Sequence, residues 1–222
     1  MDKSDKLRLL NIDACREVKN KYAEAVASGK LPGVPAEFVF GDGNGSESVV
    51  LIGEAPGKDE VGEGRPFVGA AGKILDDFLR RSGIPRDRLY ITNSVKYRLA
   101  RPGKRQGTLS NRPVKKFELE YSSDWLRSEL EIIEPSLLVT LGNTALTAVN
   151  IALGAGLKGA GLRDNIGELH GKAISGNIFG SEWDFTLIPL YHPASLIYNR
   201  DLREDYEKDL QEVKKCAQSI LL

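Results

Sequence analysis

Apolar positions Leu7, Leu10, Ala14, Val18, Tyr22 and Ala25 recur close to the period of a helix. They predict a helix over 3–28 with one buried stripe, ended by "GKLPGVP". "EFVFGDGNG" follows and reads as a short strand running into a Gly/Asn turn. Four further runs, "SVVLIG" (48–53), "LYITNSV" (89–95), "SLLVTLG" (136–142) and "FTLIPLY" (185–191), are β-rich and uniformly apolar. Strands covered on both faces carry that pattern, whereas half-exposed strands alternate. Helical stretches separate them at 70–83, 114–134 and 143–153, and a last helix is expected from about 194 to 221. The Gly-rich stretch 154–180 reads as a loop with a short hairpin. The alternation predicts an α/β fold: one domain over 1–222, three layers α/β/α, with a central, mainly parallel sheet of four strands and residues 1–30 forming an N-terminal helix.

In such sheets ligands gather at the carboxyl ends of the strands. The segments found there are "GEAPGKDEVGEGRPFVG", "NSVKYR", "GNTA" and "HPASL". The first is a glycine-rich turn that matches neither GxGxxG nor GxxxxGK[ST], which argues against an ordinary nucleotide-phosphate loop. Charge balances overall, 31 basic against 31 acidic residues, so no general basic coat exists for nucleic acid. Its distribution is uneven: from Lys96 to Phe117 there are eight Lys/Arg and no Asp or Glu. A run of this kind is either a solvated loop or a local footprint for phosphates. No apolar run approaches the roughly 20 residues of a membrane span, and the N-terminus lacks the apolar core of a signal peptide. A cytoplasmic protein with no membrane partner is therefore expected, its two cysteines, Cys15 and Cys216, being free thiols and its metal and cofactor content none.

The motifs "GEAPGKDEVGEGRPFVGAAG", "LYITNSVKYR" with a downstream "NRP", "IEPSLLVTLGNTAL" and "YHPASL" occur together, in order, from about Phe38 onward. In this the chain resembles the uracil-DNA glycosylases, most closely the family 4 (thermostable-type) branch. The resemblance implies a monomeric DNA repair enzyme that flips uracil out of DNA and hydrolyses its N-glycosidic bond, leaving an abasic site. Alternatives on the same scaffold are another deaminated base, hypoxanthine or xanthine, or a DNA binder without catalysis. Carried over residue by residue, it implies that Phe67 stacks on the extruded base, unless that ring merely closes the loop, and that the Asn93 amide reads the base edge. His192 would donate to the uracil O2 as charge develops on the leaving base. Glu54 would stabilise the cationic sugar and orient water, with Glu60 as the other acid that could do so and Gly53 and Ala55 beside the substrate. Asp59 and Glu63 read as solvated loop charges, and His170 as structural. Leu196 would wedge into the gap in the duplex or else pack the last helix. Ser195, Lys96, Arg98, Asn111 and Arg112 are candidate phosphate contacts.

The chain departs from this family at its cysteines. The resemblance implies a [4Fe–4S] cluster on four thiolates, but the matching positions hold Cys15, Val18, Tyr97 and Ser122. The expectation is a region held without a cluster, by the N-terminal helix and by packing of Tyr97, Tyr121 and Trp125. The basic segment 98–116 is also longer than the family's usual connection, as an insertion that either embraces DNA or decorates the edge.

Overall fold

The computed structural model describes residues 1–154, 165–177, 183–199 and 201–221. Helix α1 (Lys3–Ala27) leads into strand β1 (Val49–Gly53), the short helix α2 (Lys58–Glu63) and helix α3 (Ala70–Ser82). Strand β2 (Leu89–Asn93), the strands β3 (Ala100–Pro102) and β4 (Leu109–Asn111), helix α4 (Lys116–Ile133), strand β5 (Leu137–Leu141) and helix α5 (Asn143–Leu153) follow. The chain continues through α6 (Ile166–Leu169), β6 (Ile174–Asn177), β7 (Asp184–Leu190), α7 (Ser195–Tyr198) and α8 (Leu202–Leu221). The main sheet runs in the order β2-β1-β5-β7-β6, and its first four strands are parallel.

Three expectations are corrected here. The sheet has five strands rather than four: β6 adds to the outer edge of β7 in antiparallel register. Its sequence, "ISGN", is short and only partly buried, so it lacks the apolar run that marked the central four. The last helix is two pieces, α7 and α8, rather than one. In the other direction, "EFVFGDGNG" forms no strand of the sheet. It bridges the free edge of β2 at Asp42–Ile91 and the stretch that follows β2 at Phe38–Tyr97, and so covers backbone groups that an open edge would expose.

Uniformly apolar strands have a direct cause in the layering. Side chains alternate across a strand: Val50, Ile52, Leu138 and Leu187 pack under α1, α4 and α5. Val49, Leu51, Val139, Leu141, Ile188 and Leu190 pack under α3 and α8. Both faces are covered, so both sets must be apolar.

Helix α4 brings two carboxylates into this interior. Glu118 accepts two hydrogen bonds from the Arg112 guanidinium, at 2.6 and 2.7 Å, one from the Lys115 N–H at 3.0 Å, and one from the Tyr97 hydroxyl. Four donors fill the four acceptor sites of a carboxylate. Tyr97 also meets the Tyr121 hydroxyl, and its ring packs edge-on against Tyr22 with centroids 5.1 Å apart. Burial, reinforced by Glu118, pushes the Tyr97 phenol well above its ordinary value, so it stays a neutral donor. Phe38 stacks on Trp125, whose indole N–H reaches Asn11 of α1 at 3.1 Å.

A [4Fe–4S] cluster does not fit this region. The chain has two cysteines, on α1 and α8, where four thiolates are needed. The Tyr97 hydroxyl is taken by Glu118 and Tyr121, and Val18 offers no ligand atom. Aromatic packing and a satisfied buried carboxylate join α1, α4 and the exit of β2 instead. Replacing Glu118 with Gln leaves Arg112 buried without its counter-charge, and chemical denaturation should record a loss of about 3–5 kcal/mol. An unchanged unfolding midpoint would contradict the role assigned to this carboxylate.

Candidate active site

Parallel register places Gly53, the last residue of β1, beside Asn93, the last of β2. Their neighbourhood is tight. A Cβ on Gly53 would lie 2.5 Å from Asn93 Oδ1 and 2.5 Å from Phe67 Cζ, closer than any real contact. An aromatic ring and an amide therefore converge over one glycine, and only glycine leaves room for both.

Phe67 is held there under strain. Its φ of 53° is left-handed, a region that costs a bulky L residue about 1–3 kcal/mol. Three restraints offset this. The Phe67 carbonyl sits where a Cβ on Gly72 would be, so the start of α3 can close against it. Arg86 donates to the Pro66 carbonyl at 2.8 Å. Glu60 accepts from the Gly57 N–H at 3.0 Å, the Val68 N–H at 3.0 Å and the Gly69 N–H at 2.8 Å, which pins both ends of the loop. The sequence offered Glu60 as a second catalytic acid. Three backbone N–H groups bond its oxygens, so it also shapes the turn that presents Phe67.

His192 follows β7 and lies partly buried, its ring centroid 6.1 Å from that of Phe67. Its Nδ1 accepts the Ala194 N–H at 3.2 Å, which leaves the proton of the neutral ring on Nε2. Burial pushes the imidazole below its ordinary value, and the nearby Glu54 carboxylate, which pulls upward, does not cancel this. Glu54 leaves β1 immediately after Gly53. Its Oε2 accepts the Thr144 hydroxyl at 2.7 Å, in the first turn of α5, where a helix favours negative charge. Thr144 had no assigned role in the sequence, although "GNTA" was marked as a strand-end segment.

Phe67, Asn93, His192, Ala55, Glu60 and Asn111 line one cleft of 360 Å³, together with the exposed Lys58. A larger groove of 690 Å³ runs between α1 and residues 40–43 and contains none of them. Lys96, Arg98 and Arg112 are corrections: all three expected phosphate contacts are buried. Lys96 spends its three ammonium donors on Glu129 at 2.6 Å, Thr92 Oγ1 at 2.8 Å and the Asn93 carbonyl at 2.6 Å. It thus braces the backbone that carries the amide, while Tyr90 and Thr92 donate to Glu129. Arg98 lies inside with an ion pair to Glu37 at 3.8 Å, and Arg112 serves Glu118. Leu196 is partly buried against the α3/α8 side of the core, the packing alternative to a wedge. The Ser195 N–H bonds the His192 carbonyl at 2.8 Å, which tightens the turn. His170 pairs with Asp209 at 2.8 Å and stacks near Tyr191, away from the cleft lining.

The model of the uracil DNA glycosylase superfamily matches residues 40–217. The chain belongs to the uracil-DNA glycosylase superfamily. Type-4 uracil-DNA glycosylases are similar to it over most of their length. That of Saccharolobus solfataricus is 34% identical over 182 residues, covering 82% of this chain and 76% of the relative. That of Archaeoglobus fulgidus is 35% identical over 176 residues (79% and 80%), and that of Thermotoga maritima 37% over 183 (80% and 83%). The match to the superfamily begins at Phe40, so it takes in every residue of the cleft and leaves all of α1 outside.

The electrostatics of His192 can be read directly. Proton-detected NMR titration should give it a pKa below about 6.5, with the Nε2–H tautomer above it. The unfolded chain then takes up this proton first as pH falls. The stability owed to the neutral ring is complete above about pH 6.5 and is lost as pH drops through the native pKa. A pKa at or above the ordinary value would refute the buried, neutral ring.

Proposed function

We propose that this chain is a DNA repair uracil-DNA glycosylase in which Phe67, Asn93, His192 and Glu54 perform the excision. The observation that carries the reading is the meeting of Phe67 and Asn93 over Gly53, with the His192 ring 6.1 Å from Phe67 in the same cleft. A base inside a duplex is out of reach of such a cleft, so it must be flipped out, at a cost of a few kcal/mol. The Phe67 ring face replaces part of the stacking lost. The Asn93 amide can accept from N3–H and donate to O4 of uracil, while cytosine presents the opposite pair.

Cleavage of the glycosidic bond leaves electrons on the base and a cationic sugar. The His192 Nε2–H donates to O2, where the negative charge develops. A neutral donor suits this task because it need not gain or lose a proton. Donors placed in this way contribute about 3–4 kcal/mol in comparable anion holes. The Glu54 carboxylate, fixed by Thr144, stabilises the sugar cation and orients the water that adds to C1′. Uracil departs as an anion and is protonated by solvent. Every group named comes from one chain, and the free thiols Cys15 and Cys216 suit a reducing compartment. Both support a cytoplasmic monomer.

Two substitutions test the assignment with uracil-containing oligonucleotides followed by alkali cleavage. Gly53→Ala should displace both the ring and the amide and reduce excision about 100-fold, the scale of a 1 Å misplacement. Asn93→Asp should shift preference toward cytosine, and an unchanged preference would remove Asn93 from base reading.

A further inference from the structure

The segment 98–116, the most basic in the chain, is neither a loose loop nor a uniform patch. Strands β3 and β4 pair as an antiparallel hairpin, with Ala100 opposite Asn111 and Pro102 opposite Leu109. Its root is locked. Arg112 donates to the Ala100 carbonyl at 3.2 Å and to Glu118, and Arg98 and Lys96 are inside the protein. Its tip is closed by its own bonds: the Gly103 N–H reaches the Thr108 carbonyl at 2.7 Å, and the Thr108 N–H the Arg105 carbonyl at 3.1 Å. A fixed arm with an ordered tip results.

The arm's chemistry divides by face. Residues two apart on a strand share a face, so Leu109 lies on the same side as Asn111, which lines the cleft. Leu109 is a large apolar residue left 41% exposed there. Arg101 pairs with Ser110 and therefore points to the opposite side. Lys104 and Arg105 sit exposed at the tip, and among the described residues no acid forms an ion pair with them. The expected wedge, Leu196, is meanwhile partly buried against the core.

We propose that the β3–β4 hairpin is a DNA-gripping arm of this site. Lys104 and Arg105 take backbone phosphates beside the extruded nucleotide, and Leu109 presses against the base stack next to the gap. The proposal rests on the uracil-excision reading for where the DNA lies. Neutralised phosphates release counterions, and an apolar side chain stabilises an unstacked step.

The test uses a labelled duplex bearing one 2′-fluorodeoxyuridine, whose glycosidic bond resists cleavage, with binding measured across a salt series. Lys104→Ala/Arg105→Ala should weaken binding and flatten the slope of log K against log salt by about 1.8, two contacts at about 0.9 each. Arg101→Ala, on the far face, should leave the slope as it is. An unchanged slope in the double variant, or an equal change in Arg101→Ala, overturns the arm. Leu109→Ala should lower excision of uracil from duplex more than from single strands, since only a duplex has a stack to hold open. Equal losses on both overturn its part. Excision by the parent protein, run alongside, separates these failures from a failure of the activity itself.

Discussion

Two side chains from distant stretches of the chain meet over a residue that has none. The Phe67 ring and the Asn93 amide both lie within 2.5 Å of where a Gly53 Cβ would stand. Everything around that point serves to hold it. The parallel register sets Gly53 against Asn93, the Glu60 carboxylate pins the loop that bends Phe67 into a left-handed backbone, and Lys96 fastens the Asn93 carbonyl from beneath. His192 enters the same cleft from the end of β7, while Glu54, the residue after Gly53, is tied to Thr144 at the start of α5.

Buried charge supports this arrangement in a part of the fold where the resemblance implied inorganic chemistry. Glu118 and Glu129, both on α4, have no exposed surface, and each is compensated by a buried cation: Arg112, just after β4, for Glu118 and Lys96, just after β2, for Glu129. Ion pairs of this kind are weak evidence for stability, because desolvating them costs as much as they return. Their value lies in direction. An ammonium with three acceptors and a carboxylate with four donors admit one geometry, and that geometry sets the path of the chain from Asn93 to Arg112.

Much of this was legible in the amino-acid sequence, for identifiable reasons. Uniformly apolar runs marked the four central strands because both their faces are covered. Strand-end segments marked the site because parallel sheets gather loops there. Phe67, Asn93 and His192 belong to compact motifs, and all three line one cleft. What escaped depended on long-range pairing. Lys96 and Arg112 looked like surface cations, since nothing local reveals that Glu129 and Glu118 wait for them on a helix beyond the hairpin. The hold of Glu60 on its turn was not visible either, since two of its backbone partners lie eight and nine residues ahead. Strand β6 was hidden by its shortness, and the hairpin by a tip whose glycines and prolines resemble a loop.

A structure of the protein with DNA carrying an uncleavable deoxyuridine tests the central claim most directly. The account predicts the uracil ring stacked on Phe67, its N3–H and O4 on the Asn93 amide, and its O2 facing His192 Nε2. A base seated elsewhere, such as the groove along α1, or one that leaves Asn93 and His192 without contact, would contradict it.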